Sequence, residues 1–321
     1  MMQRSWWFGA LICAIACAGI IGLIRSCLQE DEIAHLASQI GSDGEIVGRD
    51  RFVVRYQGSE PERIIPLVAK LPAVYEIDFS RTRVRDDDLT PLFRTHKLEG
   101  IKLAKTNVTG KCFGELKGGR CLALDLSDCR LVSSLRFLEK SEFQELRFLD
   151  ISRTSVMPSE CAYLALLPTL TILRCDDIDL GGNEFEWLSS VNTLEILSCC
   201  NTRLARGNGS RIARQSALRQ LYANDTGVDD GDLSAIEECT HLEVLAICGT
   251  KVSEAGAARA IRSMRKLNEL WIDGRIASPA LITSIAQSES MQKVVVRGRQ
   301  LDDGVVEEIR RLRPGLCIEA F

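Results

Sequence analysis

Histidine is scarce in this chain of 321 residues: His35, His96 and His241 are all it has, and none stands within a nucleophile motif or a metal-ligand pair. No Gly-rich phosphate loop follows a strand-like run, so phosphate chemistry has no evident seat. The 13 cysteines contain no C-x-x-C pair, which argues against a zinc site and against a compact disulfide framework. Neither sign of charge dominates, with 40 basic and 44 acidic side chains and a net charge of −4. Residues 1–28 hold Arg4 and Arg25 but no acid, so the remainder has two fewer basic residues and stands at −6. A broad surface for nucleic acid or anionic lipid needs clustered Lys and Arg and is not expected. Low-complexity tracts are also missing, Gly207 to Ser210 being the most loop-like interruption. No catalytic residue, cofactor or metal is therefore expected.

What is present begins with an uncharged run from Trp6 to Ile24. As a helix it measures about 28 Å at about 1.5 Å per residue, close to the ~30 Å hydrocarbon core of a bilayer. Trp6 and Trp7 suit the interface, Arg4 precedes the run, and Arg25 closes it ahead of Glu30, Asp31 and Glu32. That bias favours an N-in orientation. Residues 6–24 are expected to be an uncleaved membrane anchor. A cleaved signal peptide is the rival reading, since Ala14-Ile15-Ala16 and Ala16-Cys17-Ala18 are both small-x-small. A lipid-modified Cys17 is a third.

The rest of the chain repeats itself. The pattern apolar-x-x-apolar-x-apolar-x-x-Thr-x-apolar returns every 23 to 25 residues, most clearly from Val74, Leu98, Leu146, Leu194, Leu218 and Leu242, and more weakly from Cys121, Leu170, Leu267 and Met291. Each copy joins a period-two stretch to a helical stretch, as in Leu242-x-x-Leu245-x-Ile247 followed by Ser253 to Ile261. One such unit cannot bury its inner residues, so neighbours must stack, with a parallel sheet on one face and helices on the other. A helix is wider than the ~4.8 Å strand spacing, so the stack curves with its strands inside. The predicted architecture is an α/β solenoid over residues 73–313. Residues 1–28 precede it as anchor or signal sequence, residues 29–72 form an N-terminal cap, and residues 314–321 form a C-terminal capping strand. Within the cap, helices are expected over Ile33 to Ile40 and Ile64 to Leu71, with a strand over Phe52 to Tyr56.

This pattern resembles the leucine-rich-repeat family, whose consensus L-x-x-L-x-L-x-x-N-x-L is matched by about ten copies between residues 74 and 301. Thr82, Thr106, Thr154, Thr202, Thr226 and Thr250 stand where the family has Asn, with Cys129 in one copy. Ile178, Arg275 and Arg299 depart further. A Thr there is expected to turn inward and hydrogen-bond the backbone at the bend, for on the order of 1 kcal/mol each. The Thr version, with acidic openings such as Arg85-Asp86-Asp87-Asp88 and Asp229-Asp230-Gly231-Asp232, is similar to repeats of bacterial proteins.

The resemblance implies that function lies on side chains projecting from the strands into the concave face. By register, one column holds Glu76, Gly100, Ala123, Phe148, Ile172, Ile196, Gln220, Val244, Glu269 and Lys293. The other holds Asp78, Lys102, Asp125, Asp150, Arg174, Ser198, Tyr222, Ala246, Trp271 and Val295. Phe148, Ile172, Ile196 and Val244 then make an apolar strip flanked by Asp150, Arg174, Tyr222 and Trp271, the composition of a protein-binding patch. The alternative is ordinary exposed sheet, with Asp150 and Arg174 paired across adjacent strands. Arg203, Arg206, Arg211, Arg214 and Arg219 mark a basic convex segment, read as a solvated face. Cys175 and Cys199 should touch as buried packing, and Cys200 and Cys248 should lie on the strand-exit surface. The expected function is a membrane-anchored, non-catalytic protein-binding module on the outer side of a bacterial membrane, secreted if the leader is cleaved. A cytosol-facing adaptor, similar to repeat proteins that recruit substrates to ubiquitin ligases, and a structural envelope protein are the alternatives.

Overall fold

The structure, a computed structural model, describes residues 33–48, 51–179, 185–204, 207–298, 307, 311 and 313–320. The expected anchor at residues 6–24, Arg206 and Arg299 lie outside these. Among the described residues no helix is long and apolar enough to cross a membrane.

Thirteen strands follow one another in space in the order in which they occur in the chain. They are β1 (Gly44–Val47), β2 (Phe52–Tyr56), β3 (Val74–Asp78), β4 (Gly100–Lys102), β5 (Ala123–Asp125), β6 (Phe148–Asp150) and β7 (Ile172–Arg174). The sheet continues through β8 (Ile196–Ser198), β9 (Gln220–Tyr222), β10 (Val244–Ala246), β11 (Glu269–Asp273), β12 (Lys293–Arg297) and β13 (Cys317–Ala320). From β2 onward all neighbours are parallel, as β6–β7 and β7–β8 show. The exception is β1, which pairs antiparallel with β2 and was not anticipated from its Gly-flanked sequence. Residues 33–40 are helical and β2 falls where expected. The next helix runs over Pro61–Val68 rather than Ile64 to Leu71, because Pro at the first helical position fits the fixed φ and needs no N–H partner.

Strand register is set by burial. Leu149, Leu173, Leu197, Leu221 and Leu245 lie in one row of the core and are fully buried; a one-residue slip would turn every one of them to solvent. On the convex side the expected helices form over Asp86–Thr95, Asp230–Ile236, Glu254–Ser263 and Pro279–Gln287. Between β4 and β8 they are replaced by 3-10 turns, at Lys111–Glu115, Arg136–Glu139, Ser141–Phe143, Pro158–Leu166 and Phe185–Ser189. Bulky side chains fill the space there: the ring of Phe113 lies 5.6 Å from Phe93, 4.6 Å from Phe137 and 5.8 Å from Phe143.

The bend after each strand is the most regular part of the molecule. Thr82, Thr106, Thr154, Thr202, Thr226 and Thr250 each donate the hydroxyl proton to the carbonyl three residues earlier, at 2.7 Å in every case. Cys129 takes the place of Thr by donating its thiol proton to the Leu103 carbonyl of the preceding repeat. The residue just before each of these positions is left-handed: Gly249 has φ 69°, and Arg81, Lys105, Asp128, Arg153, Asn201 and Asp225, with Asp177 before Ile178, have φ between 52° and 65°. Their N–H groups thereby point along the stack and donate to the next repeat at 2.7 to 2.9 Å. Each bend thus continues the ladder past the end of its strand and offsets the cost of the unusual φ.

Acids at the start of the convex segments lock neighbours together. Asp86 accepts the N–H groups of Thr109, Gly110 and Cys112, and Asp232 accepts those of Gly207 and Gly209. Burial pushes the Asp86 carboxyl up, but the N–H groups outweigh it and hold it below the usual aspartate value. Arg297 reaches across two repeats to grip Asp225 with both guanidinium branches, at 2.7 and 2.9 Å.

Denaturant titration of single variants will separate these contributions. Phe113→Ala is expected to cost about 3 to 5 kcal/mol, whereas Thr202→Val, which keeps shape and loses one hydrogen bond, should cost about 1 kcal/mol. Equal losses would mean that the Phe cluster is not what fills the 3-10 region.

Candidate protein-binding face

The two concave columns read from the sequence pair as expected at every step described: Phe148 with Ile172, Ile172 with Ile196, Asp125 with Asp150, Asp150 with Arg174, Ser198 with Tyr222, and Ala246 with Trp271. Phe148, Ile172 and Ile196 are half-buried and adjacent, so they form a continuous apolar strip over β6 to β8. Val244 does not join it. It is only 7% exposed, since its register neighbours Gln220 and Glu269 are longer and stand on either side. Ala246 is fully buried between Tyr222 and Trp271.

Both aromatic side chains are held by their own strands. Tyr222 donates its hydroxyl proton to Gln220 Oε1 at 3.2 Å, and Trp271 donates Nε1–H to Glu269 Oε1 at 2.7 Å. Lys293 Nζ lies 5.8 Å from the centre of the Trp271 ring. Rings fixed in this way lose little conformational entropy when a partner covers them. Arg174 is exposed and stands 5.9 Å above the Phe148 ring. No ion pair joins it to Asp150 within 4.0 Å, so the anticipated cross-strand pairing is not formed.

Beside the strip, toward the strand exits, lies an open depression of about 490 Å³ whose lining includes Asp125, Asp150, Asp176, Arg174, Ile196 and Tyr222. Asp176 belongs to a column, with Ser127 and Ser152, that was not singled out from the sequence. It lies one step beyond the inner apolar pair, where the period-two alternation still holds. Asp176 Oδ1 accepts from Ser198 Oγ and from Cys200 N, both at 2.7 Å. Asp125 Oδ1 accepts from the N–H and hydroxyl of Ser127. Asp150 was expected at the exposed rim but is 7% exposed. Its Oδ1 accepts from Ser152 N at 2.9 Å, and its Oδ2 takes no hydrogen bond from the described residues. Burial raises its carboxyl above the usual aspartate value; Ser152 lowers it in part, Asp125 raises it further and Arg174 lowers it only weakly.

The other singled-out groups serve the framework. Arg203 pairs with Asp179, Arg211 with Glu186 and Arg219 with Glu243, and Arg214 donates to Ser189 Oγ. Cys175 and Cys199 are fully buried. Burial pushes both thiols far up, so neither is a reactive thiolate. Cys200 is half-buried, but Cys248 is 1% exposed rather than on the exit surface, tucked beside Arg297. None of the ten described cysteines is in a disulfide with another of them.

A carboxyl whose value is raised on folding favours the folded state while protonated and opposes it once ionised. Stability assigned to Asp150 therefore falls as pH rises above the ordinary aspartate range. Asp150→Asn keeps the acceptor for Ser152 N and removes the charge. It is expected to raise Tm at pH 7, with the gain shrinking toward pH 4; thermal melts across that range will check it. A lower Tm at neutral pH would show that the carboxylate is structurally satisfied.

No family model matches the chain. Among solved structures, an internalin (InlF) from Listeria monocytogenes superposes with a TM-score of 0.60 at 15% identity, over 92% of this chain and 94% of that one. At that identity the likeness shows the fold alone: the chain has the fold of a leucine-rich-repeat solenoid, with the strands on one side and helices or turns on the other.

Proposed function

We propose that this protein is a non-catalytic binding module that holds another protein against its concave face, tethered to a membrane by residues 6–24. The observation that carries the reading is the half-buried strip of Phe148, Ile172 and Ile196 continued by the braced rings of Tyr222 and Trp271. Aromatic and Arg side chains around an apolar centre are the groups that dominate binding energy at protein interfaces. The likeness to an internalin fold supports a protein partner and nothing narrower.

The anchor reading is supported by the uncharged run itself, with Trp6 and Trp7 at one end and Arg25 at the other. The charge bias favours an N-in orientation, which supports the outer side for the repeats. The cysteines do not oppose this, because eight of the ten described are buried and their thiols are shielded from oxidants.

Two measurements test the proposal. Tags at the C-terminus, assayed on intact cells, should report an external or periplasmic location; a cytosolic tag would favour the adaptor reading. Crosslinking pull-downs with the native chain and with Ile172→Asp plus Ile196→Asp, matched for circular dichroism and melting, should lose one partner in the variant. An unchanged set would make the strip ordinary exposed sheet and bring the structural reading forward.

A further inference from the structure

The depression beside the strip is unbalanced in charge. Three carboxylates line it, from Asp125, Asp150 and Asp176, against Arg153 and Arg174. Arg153 is occupied elsewhere: it grips Asp128 through two branches at 2.7 and 2.9 Å and approaches Asp177 at 3.6 Å. Arg174 leans over the Phe148 ring rather than onto a carboxylate. Asp150 thus sits more than nine-tenths buried in the wall of the depression, hydrogen-bonded by Ser152 but with no cation within 4.0 Å among the described residues. A charge held in such a place is electrostatically unsatisfied, and folding alone does not call for it.

We infer that the depression receives a lysine or arginine side chain of the bound partner, so that the concave face selects a protein segment in which a basic residue neighbours an apolar one. The inference rests on the reading of the strip as a protein-binding face and adds what that partner must carry. The lining fits a cation on an aliphatic stem. Ile196 and Tyr222 border the same depression, the first suited to packing the stem and the second to a cation over its ring. A bare metal ion fits less well, since among the described residues no three His, Cys, Asp or Glu side chains are arranged to hold one. An acidic segment is disfavoured, because it would meet three carboxylates to reach one guanidinium. The apolar neighbour would lie on Ile172 and Phe148, next to the depression in register.

A library of short random peptides displayed on phage, panned on the full chain in detergent micelles, tests this directly. The same library is panned on full chains carrying Asp150→Asn, Asp125→Asn or Ile172→Asp, each first matched to the native chain by circular dichroism. The expected result is enrichment of peptides pairing Lys or Arg with an apolar residue. Synthetic copies should bind Asp150→Asn roughly thirtyfold more weakly, or worse, lose binding when the basic residue is replaced by Glu, and weaken as salt is raised. If the enriched peptides need Ile172 but are acidic or neutral, or bind Asp150→Asn as well as the native chain, the cation site is wrong while the binding strip stands. If no enriched peptide depends on Ile172, the binding strip fails and the inference fails with it.

Discussion

Each inner side chain of this protein is covered by the repeats before and after it and by the convex segments behind the sheet, not by its own strand. Leu149, Leu173 and Leu197 have no exposure, yet each belongs to a strand of only three residues. A strand so short holds three ladder positions and could not stand alone. Burial therefore exists only as a property of the stack, and every local device works to keep neighbours in register. The left-handed residue before each Thr carries the ladder around the bend, the Thr hydroxyl closes the turn behind it, and acids such as Asp86 fasten the next convex segment. Removing the stack would leave the left-handed N–H groups and the Asp86 carboxylate unpaired, whereas the Thr hydroxyls bond within their own repeat.

The same constraint frees the concave face. Since the framework is satisfied inward and along the stack, the outward columns carry less of the packing and vary widely in chemistry. Tyr222 and Trp271 are braced by Gln220 and Glu269 on their own strands, which fixes their rings without reference to the core. Asp150 goes the other way. It is buried beside Asp125, and burial raises its carboxyl above the usual aspartate value. A framework this regular tolerates one such group, and that tolerance is where a site separates from a scaffold.

Much of this was legible in the sequence because a parallel stack converts spacing into position. Once Leu242-x-x-Leu245-x-Ile247 is aligned with its counterparts, both concave columns follow, and the register of β3 to β12 agrees with them. Depth was not legible. Val244 and Asp150 occupy the right columns, but their exposure depends on the length of the side chains beside them, which periodicity does not encode. The 3-10 turns also escaped, since the segments at Lys111–Glu115 and Phe185–Ser189 are too short to register a helical period, and their Phe residues read simply as apolar. One signal was available and unused: Asp, Asn or Gly precedes the Thr position at Asp128, Asp177, Asn201, Asp225 and Gly249, the residues that most readily take a positive φ.

The change from α-helix to 3-10 turn between β4 and β8 also has a geometric consequence. Bending in such a stack comes from the mismatch in spacing between its two sides, and a 3-10 turn is the more tightly wound element. Where it replaces the helix the mismatch shrinks, which favours less bending of the sheet in front of it. Phe148, Ile172 and Ile196 stand on the strands in front of these turns, where less bending would set them closer to one level than to an arc. A level patch admits a broad or extended surface without requiring it to be narrow enough to enter a horseshoe.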